Sequence, residues 1–154
     1  MNISKRDWRF ICEGKSAAWC EFARACDIEL DAEQDDLRVR GNAMCSGDDA
    51  VDKRVEDKIL ARLDRGDVWA WCSATVRVSH SEYPDAGPIE DYLGACSYKS
   101  EDDFIRCCGL IAESVGAKPR ECGGYFHDMV RGCVTRLFDE TAAVDSLVAS
   151  AFAL

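Results

Sequence analysis

Residues 67–79 read DVWAWCSATVRVS. Val68, Ala70, Cys72, Ala74, Val76 and Val78 fall on one side of a two-residue period, and Trp69, Trp71, Ser73, Thr75 and Arg77 on the other. That alternation, rich in branched and aromatic side chains, marks a half-buried strand over about 68–79. Downstream, HSEYPDAGP at 80–88 holds two prolines and a glycine and reads as a loop. IEDYLGACSY at 89–98, with Ile89, Tyr92, Leu93 and Cys96, returns as the antiparallel partner of a hairpin. Upstream, 48–65 is the clearest helix: Val51, Val55, Ile59, Leu60 and Leu63 form one apolar stripe. Ser46 or Asp48 caps its start, and Gly66 suits the position just past its end.

Working outward, Trp19, Phe22, Ala23 and Cys26 keep helical spacing behind Ser16, predicting a helix over about 15–27 after a short helical or irregular arm. DIELDAEQDD at 27–36 packs six carboxylates into ten residues and predicts an exposed connection. Leu37 and Val39 alternate with Arg38 and Arg40 as a short edge strand. Ser100 and Asp103 open a helix over about 101–115, and GAKPRECGG at 116–124 breaks the chain. Tyr125, Phe126, Met129, Val130, Cys133, Val134, Leu137 and Phe138 trace a further helix, with a separate short helix after Thr141. The expectation is α+β. A small antiparallel sheet of two or three strands, with its hairpin at about 68–98, packs with four or five helices, the C-terminal one long. The chain reads as a single domain, residues 1–40 forming an arm and acidic connection and 41–140 the core.

The 154 residues carry 29 acidic and 19 basic side chains, a net charge of −10. A field of that sign disfavours direct binding to nucleic acid or anionic lipid and favours a basic partner. No apolar stretch approaches the roughly 20 residues of a membrane span. The first residues hold Lys5, Arg6, Asp7 and Arg9 without a signal-like apolar run, so a reducing cytosol is expected. The ten cysteines include no CxxC pair, and only His80 and His127 offer imidazole. A zinc site would have to be assembled from distant cysteines. The plainer reading makes Cys12, Cys20, Cys72, Cys96 and Cys133 small core hydrophobes, with one of the adjacent Cys107 and Cys108 buried and the other facing water.

Phosphate-binding and hydrolase signatures are absent. His80, Ser81 and Glu82 are contiguous and read as a solvated loop, since three neighbours cannot face one another as a triad. His127 and Asp128, adjacent on a helix, point in different directions. Asp48, Asp49 and Asp52 lack the alternation of a calcium loop. Trp69 and Trp71 read as packing beneath a helix, with an aromatic platform as the alternative. No catalytic, cofactor or metal residue is therefore assigned. The acids remain: Asp27, Glu29, Asp31, Glu33, Asp35 and Asp36; Asp48, Asp49 and Asp52; Glu101, Asp102 and Asp103. As solubilising faces and helix-start charges they need no partner. As a site they imitate a phosphate backbone for an Arg/Lys-lined channel.

Residues 41–78 (GNAMCSGDDAVDKRVEDKILARLDRGDVWAWCSATVRV), together with DYLGACSYKSEDDFIR at 91–106 and GGYFHDM at 123–129, resemble a group of small bacteriophage and prophage proteins. The words GDVWAWC, YLGACSY and GGYFHDM carry the resemblance, which brings no active site with it. Some members of that group carry a zinc-knuckle-like pair in the hairpin loop, whereas this loop, SHSEYPDAGP, has no cysteine. In size, charge and want of catalytic motifs the chain is similar to anti-CRISPR proteins. The resemblance implies a non-enzymatic inhibitor that binds a host CRISPR–Cas surveillance complex, of the Cascade type, through an acidic, nucleic-acid-mimicking surface. Two other classes stay open: a small phage enzyme that disables a host protein, and a structural or regulatory phage protein acting by self-association.

Overall fold

The computed structural model describes the backbone of residues 1–106 and 123–152, with side chains to Asp145. Its described elements are α1 (Lys5–Cys12), α2 (Ala17–Ala25), β1 (Cys26–Gln34), α3 (Asp49–Leu63), β2 (Cys72–His80), β3 (Ile89–Cys96), α4 (Glu101–Arg106) and α5 (Tyr125–Phe152). The three strands form one antiparallel sheet in the order β1-β2-β3. The α+β class and the long C-terminal helix are as the sequence implies.

The central strand β2 is buried at Cys72, Ala74, Val76, Val78 and His80 and half-buried between them. One sheet face thus packs on helices while the other meets solvent, the usual state of an antiparallel sheet. The covering layer is α5, whose Phe126, Met129, Val130, Cys133, Val134 and Leu137 join Val76 and Val78 in the main core. Ile11 of α1, Trp19 and Ala23 of α2 and Phe104 of α4 complete it. A second, smaller cluster of Val39, Ile59, Ala70 and Trp71 seats α3 against the chain after β1.

Four local expectations change. Residues 68–70 form a 3-10 turn, and the strand begins at Cys72. That turn separates the two tryptophans: Trp69 packs on Phe104 at 5.6 Å, while Trp71 enters the small cluster. The acidic run from Asp27 to Glu33 is the edge strand β1, because Ile28, Leu30 and Ala32 alternate with its carboxylates and face inward. Each acid then projects into water, and charge on an edge strand discourages pairing with another chain. Residues 37–40, read as a short edge strand, form no strand and lead into a turn at 40–42, with Val39 buried and Leu37 exposed. The last helix runs unbroken through Thr141, whose hydroxyl donates to the Phe138 carbonyl at 2.9 Å. No proline or glycine follows Gly132 to stop it, and alanine-rich sequence sustains a helix.

Capping agrees with the sequence. Ser16 caps α2, and Asp48 caps α3 by accepting from the Ala50 and Val51 amides. Gly66 takes φ +79°, the left-handed conformation that ends a helix. Beyond Arg106 the predicted helix over 101–115, most of the break at 116–124, and the Cys107–Cys108 pair lie outside the described residues. Among the described residues, no helix is long and apolar enough to cross a membrane.

Candidate functional site

β1 sorts the acidic run by strand geometry. Asp27, Glu29, Asp31 and Glu33 are all exposed on the face opposite the helices. Alternate residues of a strand are about 6.6–6.8 Å apart, so the four carboxylates form a row roughly 20 Å long. Register places Asp27 beside Ser79, Glu29 beside Arg77, Asp31 beside Thr75 and Glu33 beside Ser73. On the far side, Arg77 pairs with Glu90 and Thr75 with Tyr92, which is 74% exposed. The open face is therefore a row of acids, a row of small hydroxyls interrupted by one arginine, and an exposed phenol.

Among the described residues of the three strands, Arg77 is the cation on this face. Its guanidinium bonds Glu90 at 2.6 Å and Glu29 at 3.1 Å, bridging all three strands. The two carboxylates hold its pKa above the ordinary arginine value. Asp27 and Glu33 have no side-chain partner among the described residues, and Asp31 accepts only from the amide of its neighbour Ala32. The charge of the row is thus mostly uncompensated.

The other predicted acids are placed differently. Asp35 ends the row but is engaged on both oxygens, by the Leu37 amide and the Ala95 amide at 2.8 Å each. Asp36 is exposed in the following turn. Asp48 caps α3 and Asp52 accepts from the Ser46 amide and hydroxyl, so these two are spent on folding; Asp49 is exposed in the first turn of α3. Asp103 accepts from the Lys99 amide at 2.9 Å and Asp102 pairs with Arg106 at 3.3 Å, while Glu101 is exposed. The structure therefore divides the twelve acids: the β1 row is a surface, and the helix-start acids are mainly caps and local pairs.

Sequence reasoning missed a buried polar chain. His127, 2% exposed, places Nε2 3.1 Å from Asp7 Oδ1, and its Nδ1 accepts the Gly124 amide at 2.9 Å. Asp7 also takes bonds from Ser4 Oγ and from Arg6 at 2.7 Å. With Nδ1 accepting, Nε2 carries the proton and donates to Asp7. Burial lowers the His127 pKa against the opposing pull of Asp7. Burial raises that of Asp7, but its bonds from Ser4, Arg6 and His127 outweigh this and hold it below the usual value. Serine, aspartate and histidine meet here in an order that excludes triad chemistry. Ser4 touches the carboxylate, and neither ring nitrogen is left to take a proton from a nucleophile. The chain ties α1 to α5.

His80 is likewise buried, correcting the solvated-loop reading: it stacks on Phe22 at 4.7 Å with 17° between the rings. Its Nδ1 accepts the Glu82 amide at 3.2 Å, which turns the chain out of β2. Among the described residues, no group of three or more His, Cys, Asp or Glu is placed to hold a metal ion. No protein-family model, curated protein or solved structure matches this chain.

Proposed function

We propose that the chain is a non-enzymatic inhibitor of phage or mobile-element origin. It binds a host CRISPR–Cas surveillance complex of the Cascade type, in the bacterial cytosol, where that complex otherwise holds DNA. The observation that carries this reading is the row Asp27, Glu29, Asp31 and Glu33 on an open sheet face. The row sets negative charge at regular intervals along one line, as the phosphates of a nucleic-acid strand do. A β-strand holds that spacing rigidly, whereas a flexible acidic loop would lose entropy on docking. Coulomb attraction to a basic groove raises the encounter rate and disfavours like-charged partners.

The experiment is a competition. A purified Cascade-type complex is mixed with the chain, and its binding to target DNA is measured. Wild type is expected to block DNA binding, and the variant Asp27→Asn/Glu29→Gln/Asp31→Asn/Glu33→Gln to lose the block while keeping its circular dichroism spectrum. DNA binding unaffected by the wild-type chain would remove this reading.

A further inference from the structure

The pairing of β2 with β3 is regular from Val78 opposite Ile89 to Ala74 opposite Leu93. The next paired residues are Cys72 and Cys96, two positions on along β2 but three along β3. β3 therefore carries one extra residue, a bulge at Gly94–Ala95. Ala95 sits at φ +50°, in the left-handed region that side-chain-bearing residues rarely enter, and its amide donates to Asp35 at 2.8 Å. A regular strand would set Ala95 opposite Cys72; the bulge sets Cys96 there instead. The outcome is a Cys72 Sγ to Cys96 Sγ distance of 3.6 Å. Opposed residues of an antiparallel pair have Cα atoms about 4.5–5.5 Å apart, within the 4.4–6.8 Å range that disulfides span.

We propose that Cys72 and Cys96 are a redox-active dithiol that closes to a cross-strand disulfide by exchange with a low-molecular-weight disulfide such as oxidised glutathione. Cys96 is the attacking sulfur. It is half-buried at the end of β3, whereas Cys72 is fully buried. The Cys72 thiol and the amides of Ala74 and Cys96 stabilise the Cys96 thiolate and lower its pKa, although burial opposes them. The carbonyls of Cys72 at 3.2 Å and Leu93 at 3.4 Å accept from the Cys96 thiol when it is protonated, fixing the sulfur beside Cys72. Cys72 keeps its proton longer, held by its bond to Cys96 and by burial.

In the first step the Cys96 thiolate attacks one sulfur of the reagent, forming a mixed disulfide and expelling one glutathione thiolate. In the second, Cys72 gives its proton through solvent to the expelled glutathione thiolate. Its own thiolate attacks Cys96 Sγ, forming the Cys72–Cys96 bond and expelling the other glutathione thiolate, which takes up the proton that Cys96 released to solvent. One disulfide is reduced to two thiols and the protein dithiol is oxidised, so the electrons balance. The closed bond fixes the bulge that Asp35 anchors at the end of the acidic row. The proposal stands whether or not the acidic face binds the partner named above.

The test treats the folded, reduced chain with excess oxidised glutathione, followed by non-reducing tryptic mapping. Cleavage after Arg65, Arg77 and Lys99 leaves Cys72 in peptide 66–77 and Cys96 in peptide 78–99, each as its sole cysteine. The expected product is these two peptides joined, lighter than their sum by two hydrogen atoms. Cys72→Ala is expected to trap glutathione on Cys96, and Cys96→Ala to leave Cys72 unmodified. If Cys72 and Cys96 stay reduced in the wild-type chain while exposed Cys45 is glutathionylated, or if Cys12–Cys20 forms instead, the proposal is overturned. The wild-type map decides even if a variant does not fold.

Discussion

His127 donates from Nε2 to Asp7 Oδ1 across 3.1 Å, joining the last helix to the first over 120 positions of sequence. Both residues are buried, so the bond operates away from water, where an unmet polar group costs far more than the bond itself gains. Asp7→Ala strands the His127 donor and frees the Ser4 and Arg6 contacts. The expected loss is about 1–3 kcal/mol in a urea titration, and Asp7→Asn, which keeps an acceptor, recovers part of it.

The same bond sets a pH dependence. With Nδ1 accepting the Gly124 amide, a second ring proton would face another donor, which agrees with the lowered His127 pKa. The unfolded chain therefore binds a proton near pH 6.5 that the folded chain refuses, and stability falls as pH drops below that value. Asp7 adds to this lower down: its folded pKa is depressed, so its contribution is present above about 3.8 and is lost as pH falls further. Thermal unfolding of wild type between pH 7.5 and 5 is expected to show a declining Tm. His127→Gln removes that part of the decline; an identical slope in the variant would refute the assignment.

Trp71 holds the small cluster by packing and by one bond from Nε1 to the Leu37 carbonyl at 2.6 Å. Trp71→Phe loses the bond and some packing volume while keeping an aromatic ring. The expected cost is about 1–3 kcal/mol, read as a lowered urea midpoint.

Arg77 offers a test of sign. Its bonds to Glu29 and Glu90 lie on a solvated face, where such pairs contribute little to stability. Arg77→Gln removes the cation that pairs with Glu29 and Glu90 and leaves all four β1 acids in place. The unfolding midpoint should hardly move, while affinity for a basic partner should rise, measured by titration calorimetry against the same complex.

β2, α3 and the helix after Tyr125 are legible in the sequence because a two-residue or helical period runs through most of each, although the turn at 68–70 and the bulge in β3 are not. The sequence hides β1 because six carboxylates dominate 27–36, although Ile28, Leu30 and Ala32 already alternate there. Local repulsion argues against compact structure there; tertiary pairing with β2 overrides it by sending Asp27, Glu29, Asp31 and Glu33 to the solvent side. The candidate surface was thus named by residue but not by shape. His127–Asp7 and Cys72–Cys96 were invisible for a different reason. One depends on two helices docking, and the other on a single-residue bulge, and neither leaves a local spacing to read.

The central claim is that charge on the open β1 face drives partner binding, and a salt titration measures it most directly. Raising ionic strength from about 0.1 M to about 1 M shortens the screening length from about 10 Å to about 3 Å. Affinity of the chain for a Cascade-type complex is predicted to fall at least about tenfold over that range. The fall should shrink in the variant lacking the acids at 27, 29, 31 and 33. Affinity that stays level across the range, or falls equally in both proteins, would contradict the account.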